Sequence, residues 1–305
     1  MSEKKRQICD AHLHIFKYKE HWSEWAANKW IQQDPNSDCY WLTGKPSKPE
    51  DYDGPYELAI EWMDKRGVDK AFLFGNNQLF NRISVPLDYV IEAKEAHPDR
   101  FFAFCTPSLD NYDQAAEEIR YSLREKGFTG FKTLPTYSGM DPADPRMMRL
   151  YREAADNGGC IVIHTGFGPQ VDNKLEWQAP YHLEPIVQEF PNTPISFGHT
   201  GFHRYQDAMC MMSRSPYLYG DLAWWHVLPQ DYIARALVFA KTMGVIDRLM
   251  WGTDFPHIDP LDNIKRFESI PQYCEEHKLF PAITEDDLDN IFFNNAMRFV
   301  SLGKN

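Results

Sequence analysis

The chain has 305 residues, 43% hydrophobic and 25% charged, a globular composition that excludes a disordered chain. Its 44 acidic against 32 basic residues give a net charge of −12, with no basic cluster beyond Lys4-Lys5-Arg6, which argues against nucleic acid or an anionic membrane surface as the partner. No leader-type apolar segment opens the chain and no uncharged run approaches about 18 residues, so a cytoplasmic protein acting on a small molecule is expected, with a homodimer or higher homo-oligomer left open.

Short apolar runs, each bounded by Gly, Pro or Asp, fall at 7–11, 70–75, 101–106, 130–134, 160–164, 194–198, 217–221 and 248–252. Continuous runs of this kind are the pattern of strands buried on both faces. Helical patterns lie between most of them, at 56–66, 85–97, 114–126, 146–157, 182–190 and 230–243, and each stops at or just before a Gly or Pro. Eight strands alternating with helices predict a single α/β domain over residues 1–305, a (β/α)8 TIM barrel. The competing doubly wound sheet lacks a G-x-G-x-x-G after the first strand. Cys9, Cys105 and Cys160 sit inside strand-like runs and none of the six cysteines forms a C-x-x-C pair, which reads as buried reduced thiols.

Two stretches exceed a minimal barrel. Residues 16–55 form an insertion after the first strand, rich in Trp22, Trp25, Trp30, Tyr40, Trp41 and Tyr52, which is either a lid or a cover with its own satellite core. The tail from Pro260 is a helical extension whose last helix starts near Thr284, with Glu285, Asp286 and Asp287 in its first turn, and runs through Phe299.

The chemistry gathers at strand ends. His12 and His14 follow the first run at i and i+2, a spacing that turns both imidazoles to one side of a strand. His164 ends strand five, His199 ends strand six and Asp254 ends strand eight. The C-terminal rim of a barrel is where its catalytic groups belong, and this set supplies N and O ligands for a zinc-like ion with a position left for water or substrate. Taken singly, each histidine is more often a satisfied core residue; four of them with an acid at one rim are hard to treat as independent core accidents.

The stretches DAHLHIF (10–16), GFTGFKTLP (127–135), IHTG (163–166), PISFGHTG (194–201), WGTDFP (251–256) and NNAMRF (294–299) resemble the amidohydrolase superfamily. The likeness is to its amidohydrolase-related branch, which includes aminocarboxymuconate-semialdehyde decarboxylase and the resorcylate decarboxylases. It implies that His12, His14, His164 and Asp254 bind one divalent metal, zinc first with manganese or iron as alternatives. It also implies that Asp254 and His199 handle protons, His199 as a further ligand or beside the metal. Lys132 stands where binuclear relatives carry a carbamylated lysine; the plainer reading is a lysine at the barrel mouth that pairs with a carboxylate or an anionic substrate. Arg204, Trp224 and His257 are rim candidates for substrate contact, with His203 and His226 beside them.

Two reactions fit. In the first, a metal-activated water hydrolyses an amide, lactone or ester, with Asp254 as base and His199 stabilising the oxyanion. In the second, an aromatic or unsaturated acid loses CO2 without oxidation. The branch's named decarboxylase holds its substrate carboxylate with an arginine from the insertion, and residues 16–55 contain none, although Arg82 or Arg204 could substitute. On this ground hydrolysis is the leading expectation. A barrel that keeps the metal only as a structural centre is the third reading.

Overall fold

The computed structural model describes residues 5–26, 53–80, 82–168, 173–256 and 260–303. Cys39, His257 and the aromatics Trp30, Tyr40, Trp41 and Tyr52 lie outside them, as does most of the expected insertion. In chain order the strands are β1 (Cys9–His14), β2 (Lys70–Phe74), β3 (Asn77–Gln78), β4 (Ile83–Ser84), β5 (Phe101–Cys105), β6 (Gly130–Thr133), β7 (Cys160–His164), β8 (Ile195–Gly198), β9 (Leu218–Asp221) and β10 (Leu249–Met250). Eight of them form one parallel sheet in the order β1-β2-β5-β6-β7-β8-β9-β10, while β3 and β4 make a separate antiparallel hairpin. Backbone bonds from Ala11 to Trp251 (2.9 Å), Asp254 to His12 (2.8 Å) and His14 to Phe255 (3.2 Å) bring the ends together. The architecture is the expected (β/α)8 barrel.

These closing bonds explain one difference from the sequence reading. The first strand was expected at 7–11, yet it runs to His14 because β2 on one side and the segment after β10 on the other continue the pairing. Against β2 the register shifts between Asp10 and Leu13, so Ala11 and His12 together oppose Phe72. A bulge of this kind bends the strand and re-aims side chains next to a site.

The helices fall within about two residues of the expected segments, because their stops are chemically explicit. Tyr56–Arg66 ends on Gly67, whose φ of 74° a residue with a Cβ would adopt only under strain. Asn111 and Asp144 cap the helices Tyr112–Arg124 and Pro145–Asp156 through their side chains. The strands divide their residues between two cores. Ala71, Leu73, Ile161 and Ile163 face the helices, and Phe72, Phe104, Val162, Tyr219 and Met250 fill the barrel.

The C-terminal extension plugs the floor of the barrel. A capping box between Thr284 and Asp287 starts it, as the acidic first turn suggested. It continues through Glu285–Asp289, a π-helical turn at Asn290–Asn294 and the helix Asn295–Leu302. At the π turn, where the helical hydrogen-bond ladder is displaced, the Ile291 carbonyl accepts from Trp251 (2.8 Å). Asn295 then donates to the carbonyl of Leu249 at 2.6 Å. Phe299 lies 5.9 Å from the Phe72 ring and 5.1 Å from Tyr219, centroid to centroid. Truncating such a buried ring to Ala costs about 3–5 kcal/mol. The described residues contain no helix long and apolar enough to cross a membrane.

Candidate metal centre

Of the expected ligands, His12, His14 and Asp254 cluster closely above that floor, and His164 lines the same cavity beside His199. Nε2 of His12 and Nε2 of His14 each lie 3.5 Å from Oδ1 of Asp254, and the ligand atoms of these three residues are all within 4.8 Å of one another. His199 stacks on His12 at 4.6 Å between centroids, and His164 meets His199 edge-on at 4.9 Å. Hydrogen bonds on the far side of the rings decide which nitrogen faces inward. Nδ1 of His14 donates to the Gly75 carbonyl (2.8 Å), and Nδ1 of His199 to the Ala223 carbonyl (3.2 Å). A carbonyl only accepts, so each Nε2 keeps its lone pair.

Burial governs the electrostatics. It holds the imidazoles of His12 and His164 well below the usual histidine range, aided by the cation of Lys132, and pulls His199 down to about 4. Neutral imidazoles are the protonation state a metal requires. Among the described residues, Nε2 of His164 is buried with no hydrogen-bond partner. Such an orphan is costly unless something binds it. Three imidazole nitrogens and one carboxylate oxygen around a partly open cavity fit a divalent cation with a free coordination position.

The cavity above these residues spans about 710 Å3 when the open space at its mouth is included. His12, His14, His164, His199 and Asp254 form its floor, Leu134, Tyr137, Phe167, Phe202 and Trp224 are among its walls, and Asn76 and Gln78 offer carboxamides. Of the rim candidates, Trp224 lines it. Lys132 does not. Expected at the mouth, it is fully buried instead, with Nζ 3.1 Å from His12 Nε2 and over the Phe74 ring, because its position within the short β6 turns it into the barrel. Burial pulls this ammonium down to about 8. Arg204 also stays outside the cavity, 3.8 Å from Asp207 and against Tyr181. Arg82 lies over Trp25 and does not line the cavity either, and His257 is outside the described residues.

Sequence reasoning missed Asp221, Asp10, Asn76, Gln78 and Tyr137. Asp10 spans the barrel seam, accepting from the backbone N–H of His12 and Thr253 (both 3.0 Å) and from the Thr253 hydroxyl, and burial raises its carboxyl to about 7. Asp221 ends β9 as His164 ends β7, and that shared position at a strand end was a signal available to find it. The rim is also strained. His199, Thr200, Phe202, Trp224 and Asp254 all have positive φ, between 46° and 72°. Left-handed non-glycine residues cluster at functional sites because only a constrained surrounding holds them there.

The family model described as Amidohydrolase matches residues 9–302. Among solved structures, a TIM-barrel protein of Bordetella bronchiseptica aligns at 21% identity and a TM-score of 0.73, over 98% of this chain and 100% of that one. A 5-carboxyvanillate decarboxylase of Novosphingobium aromaticivorans, complexed with manganese and a nitrobenzoic acid, aligns at 15% identity and 0.68, over 99% and 97%. A dihydroxybenzoic acid decarboxylase of Polaromonas, with manganese and 2-nitroresorcinol bound, aligns at 15% identity and 0.67, over 99% and 98%. Those likenesses establish the barrel, and the family match, running from the first strand to the last helix, establishes descent: the chain belongs to the amidohydrolase family, in its amidohydrolase-2 branch.

Proposed function

We propose that the chain is a divalent-metal-dependent decarboxylase of a flat aromatic or unsaturated carboxylic acid, rather than the hydrolase that the sequence favoured. The observation that carries this is the cavity itself: its described walls, among them Tyr137, Phe167, Phe202 and Trp224, are largely aromatic and stand over the histidines and Asp254. Walls of this kind suit a flat ring whose carboxylate faces the metal centre. The activities of the decarboxylases that align with the chain support the same choice.

His12, His14, His164 and Asp254 would hold the ion. When bound, the ion supplies positive charge that anchors the substrate's carboxylate and a neighbouring oxygen. The donor set suits zinc, the first expectation, and also manganese, the ion of the aligned decarboxylases. Phe167, Phe202 and Trp224 hold the ring flat and exclude water from the reacting carbon. That carbon takes up one proton as its bond to the carboxylate breaks; the bonding pair stays with the ring and CO2 leaves. Asp254 and His199 both line the cavity and are the groups placed to carry this proton, with His199 Nε2 left available by the bond its Nδ1 makes to Ala223.

The test is to load the purified protein with manganese or zinc, measure metal content, and assay hydroxybenzoates for CO2 beside lactones and cyclic amides for ring opening. Metal-dependent CO2 release with close to one equivalent of metal supports the proposal. Metal-dependent ring opening without CO2 release returns the assignment to hydrolysis.

A further inference from the structure

We infer that Asp221 is the positioning residue that fixes the tautomer of His12 and, through the same carboxylate, seats His199; the inference rests on His12 being a metal ligand. Oδ2 of Asp221 lies 2.9 Å from Nδ1 of His12, with both groups about 1% exposed. Oδ1 accepts from the backbone N–H of His199 (2.9 Å) and of Ala223 (3.2 Å). Both of those partners are backbone donors, so Oδ1 can only accept. On the other side of the imidazole, Nε2 of His12 lies 3.1 Å from Nζ of Lys132, a donor when it carries its charge. The two contacts on His12 therefore agree: Nδ1 carries the hydrogen, and Nε2 presents a lone pair on the side of Asp254 and His14. The backbone bond to Oδ1 also holds His199 at a φ of 58°, which a residue with a side chain rarely adopts. One carboxylate from β9 thus sets a ligand on β1 and a proton carrier after β8.

Replacement by Asn separates this role from simple packing. In Asp221→Asn the carboxamide oxygen is claimed by the backbone donors of His199 and Ala223. That turns the NH2 group toward Nδ1 of His12, which can then only accept, so the hydrogen moves to Nε2, where a metal would bind.

The experiment measures nitrogen-15 shifts of the His12 ring in metal-free wild type and in Asp221→Asn, together with manganese affinity by chelator competition. The wild type should show Nδ1–H at His12. The variant should show Nε2–H and a dissociation constant raised about 10–100-fold, the usual effect of losing an outer hydrogen-bond partner of a metal ligand. Wild type showing Nε2–H overturns the inference even if the variant does not fold. So does a folded variant that keeps Nδ1–H or binds manganese as wild type does. A wild type with Nδ1–H that binds no metal overturns the metal reading instead, so the two failures are distinguishable.

Discussion

Lys132 offers the sharpest quantitative test of the electrostatics of the centre. It is wholly buried, and burial lowers its ammonium from an ordinary 10.5 to about 8, the nearby carboxylates of Asp221 and Asp254 opposing the fall. At 1.36 kcal/mol per pH unit, this displacement is a penalty of about 3 kcal/mol on the charged form in the folded protein. The sign follows from proton counts. Between pH 8 and 10.5 the unfolded chain still holds the proton that the folded chain has released, so stability rises with pH across that window. The penalty is fully present below pH 8 and gone above 10.5. Lys132→Met keeps the unbranched shape and removes the charge, at the loss of one hydrogen bond to His12 worth about 1 kcal/mol. In metal-free protein at pH 7 the variant should therefore be more stable by about 2 kcal/mol, read from urea midpoints, and this advantage should shrink steadily toward pH 10.5. Equal or lower stability at pH 7, or an advantage that does not change with pH, would refute the reasoning.

His164→Ala removes a nitrogen that has no other partner in the described structure, so tight manganese or zinc binding should fall by more than about 10²-fold; full occupancy by metal analysis would remove His164 from the ligand set. Asp254→Asn and His199→Asn should each lower turnover on a confirmed substrate by about 10²-fold or more, with His199→Asn keeping its metal, and normal turnover in both would place proton transfer elsewhere. His12, His164, His199 and His226 all have folded values below the ordinary 6.5, chiefly through burial, with His199 at about 4 and His226 at about 3. The unfolded chain thus binds more protons below pH 6.5, and metal-free protein should lose stability from there toward pH 5, each group adding a slope of up to about 1.4 kcal/mol per pH unit. A flat stability profile between pH 7 and 5 would contradict the burial of these rings.

The barrel was legible because parallel strands covered on both faces must be apolar throughout, and because its helices stop at residues such as Gly67 that can do little else. The clustering of His12, His14 and Asp254 was legible for a geometric reason: every strand end points to one rim, so polar residues that close apolar runs meet there. The same logic was not carried to Asp221, since an Asp after a strand is also an ordinary terminator and only the β8–β9 register shows it between His12 and His199. Lys132 was misplaced because its distance from the end of β6 decides between mouth and interior, and a four-residue strand leaves no margin for that judgement. The β3–β4 hairpin and the helix Tyr205–Met212 were not foreseen, and the π turn depends on a contact with Trp251 that no local pattern encodes.

The strained rim ties these observations together. A left-handed L-residue costs about 1–2 kcal/mol, so His199, Thr200, Phe202, Trp224 and Asp254 together hold about 5–10 kcal/mol, of the order of a whole domain's stability. Buried hydrogen bonds at or next to these residues oppose it: His199 N–H to Asp221 (2.9 Å), Thr200 hydroxyl to the Asp221 carbonyl (2.6 Å), Gly201 N–H to Thr165 (3.0 Å), Asp254 N–H to the His12 carbonyl (2.8 Å) and Trp225 indole to the His199 carbonyl (2.9 Å). At about 1 kcal/mol each, and more where a carboxylate accepts, these bonds offset a large part of the strain. Three of the five involve Asp221 or His12, residues that also belong to the candidate metal centre. The backbone conformation of the rim and the orientation of the ligands are therefore held by one shared network, and a change to either is felt by both.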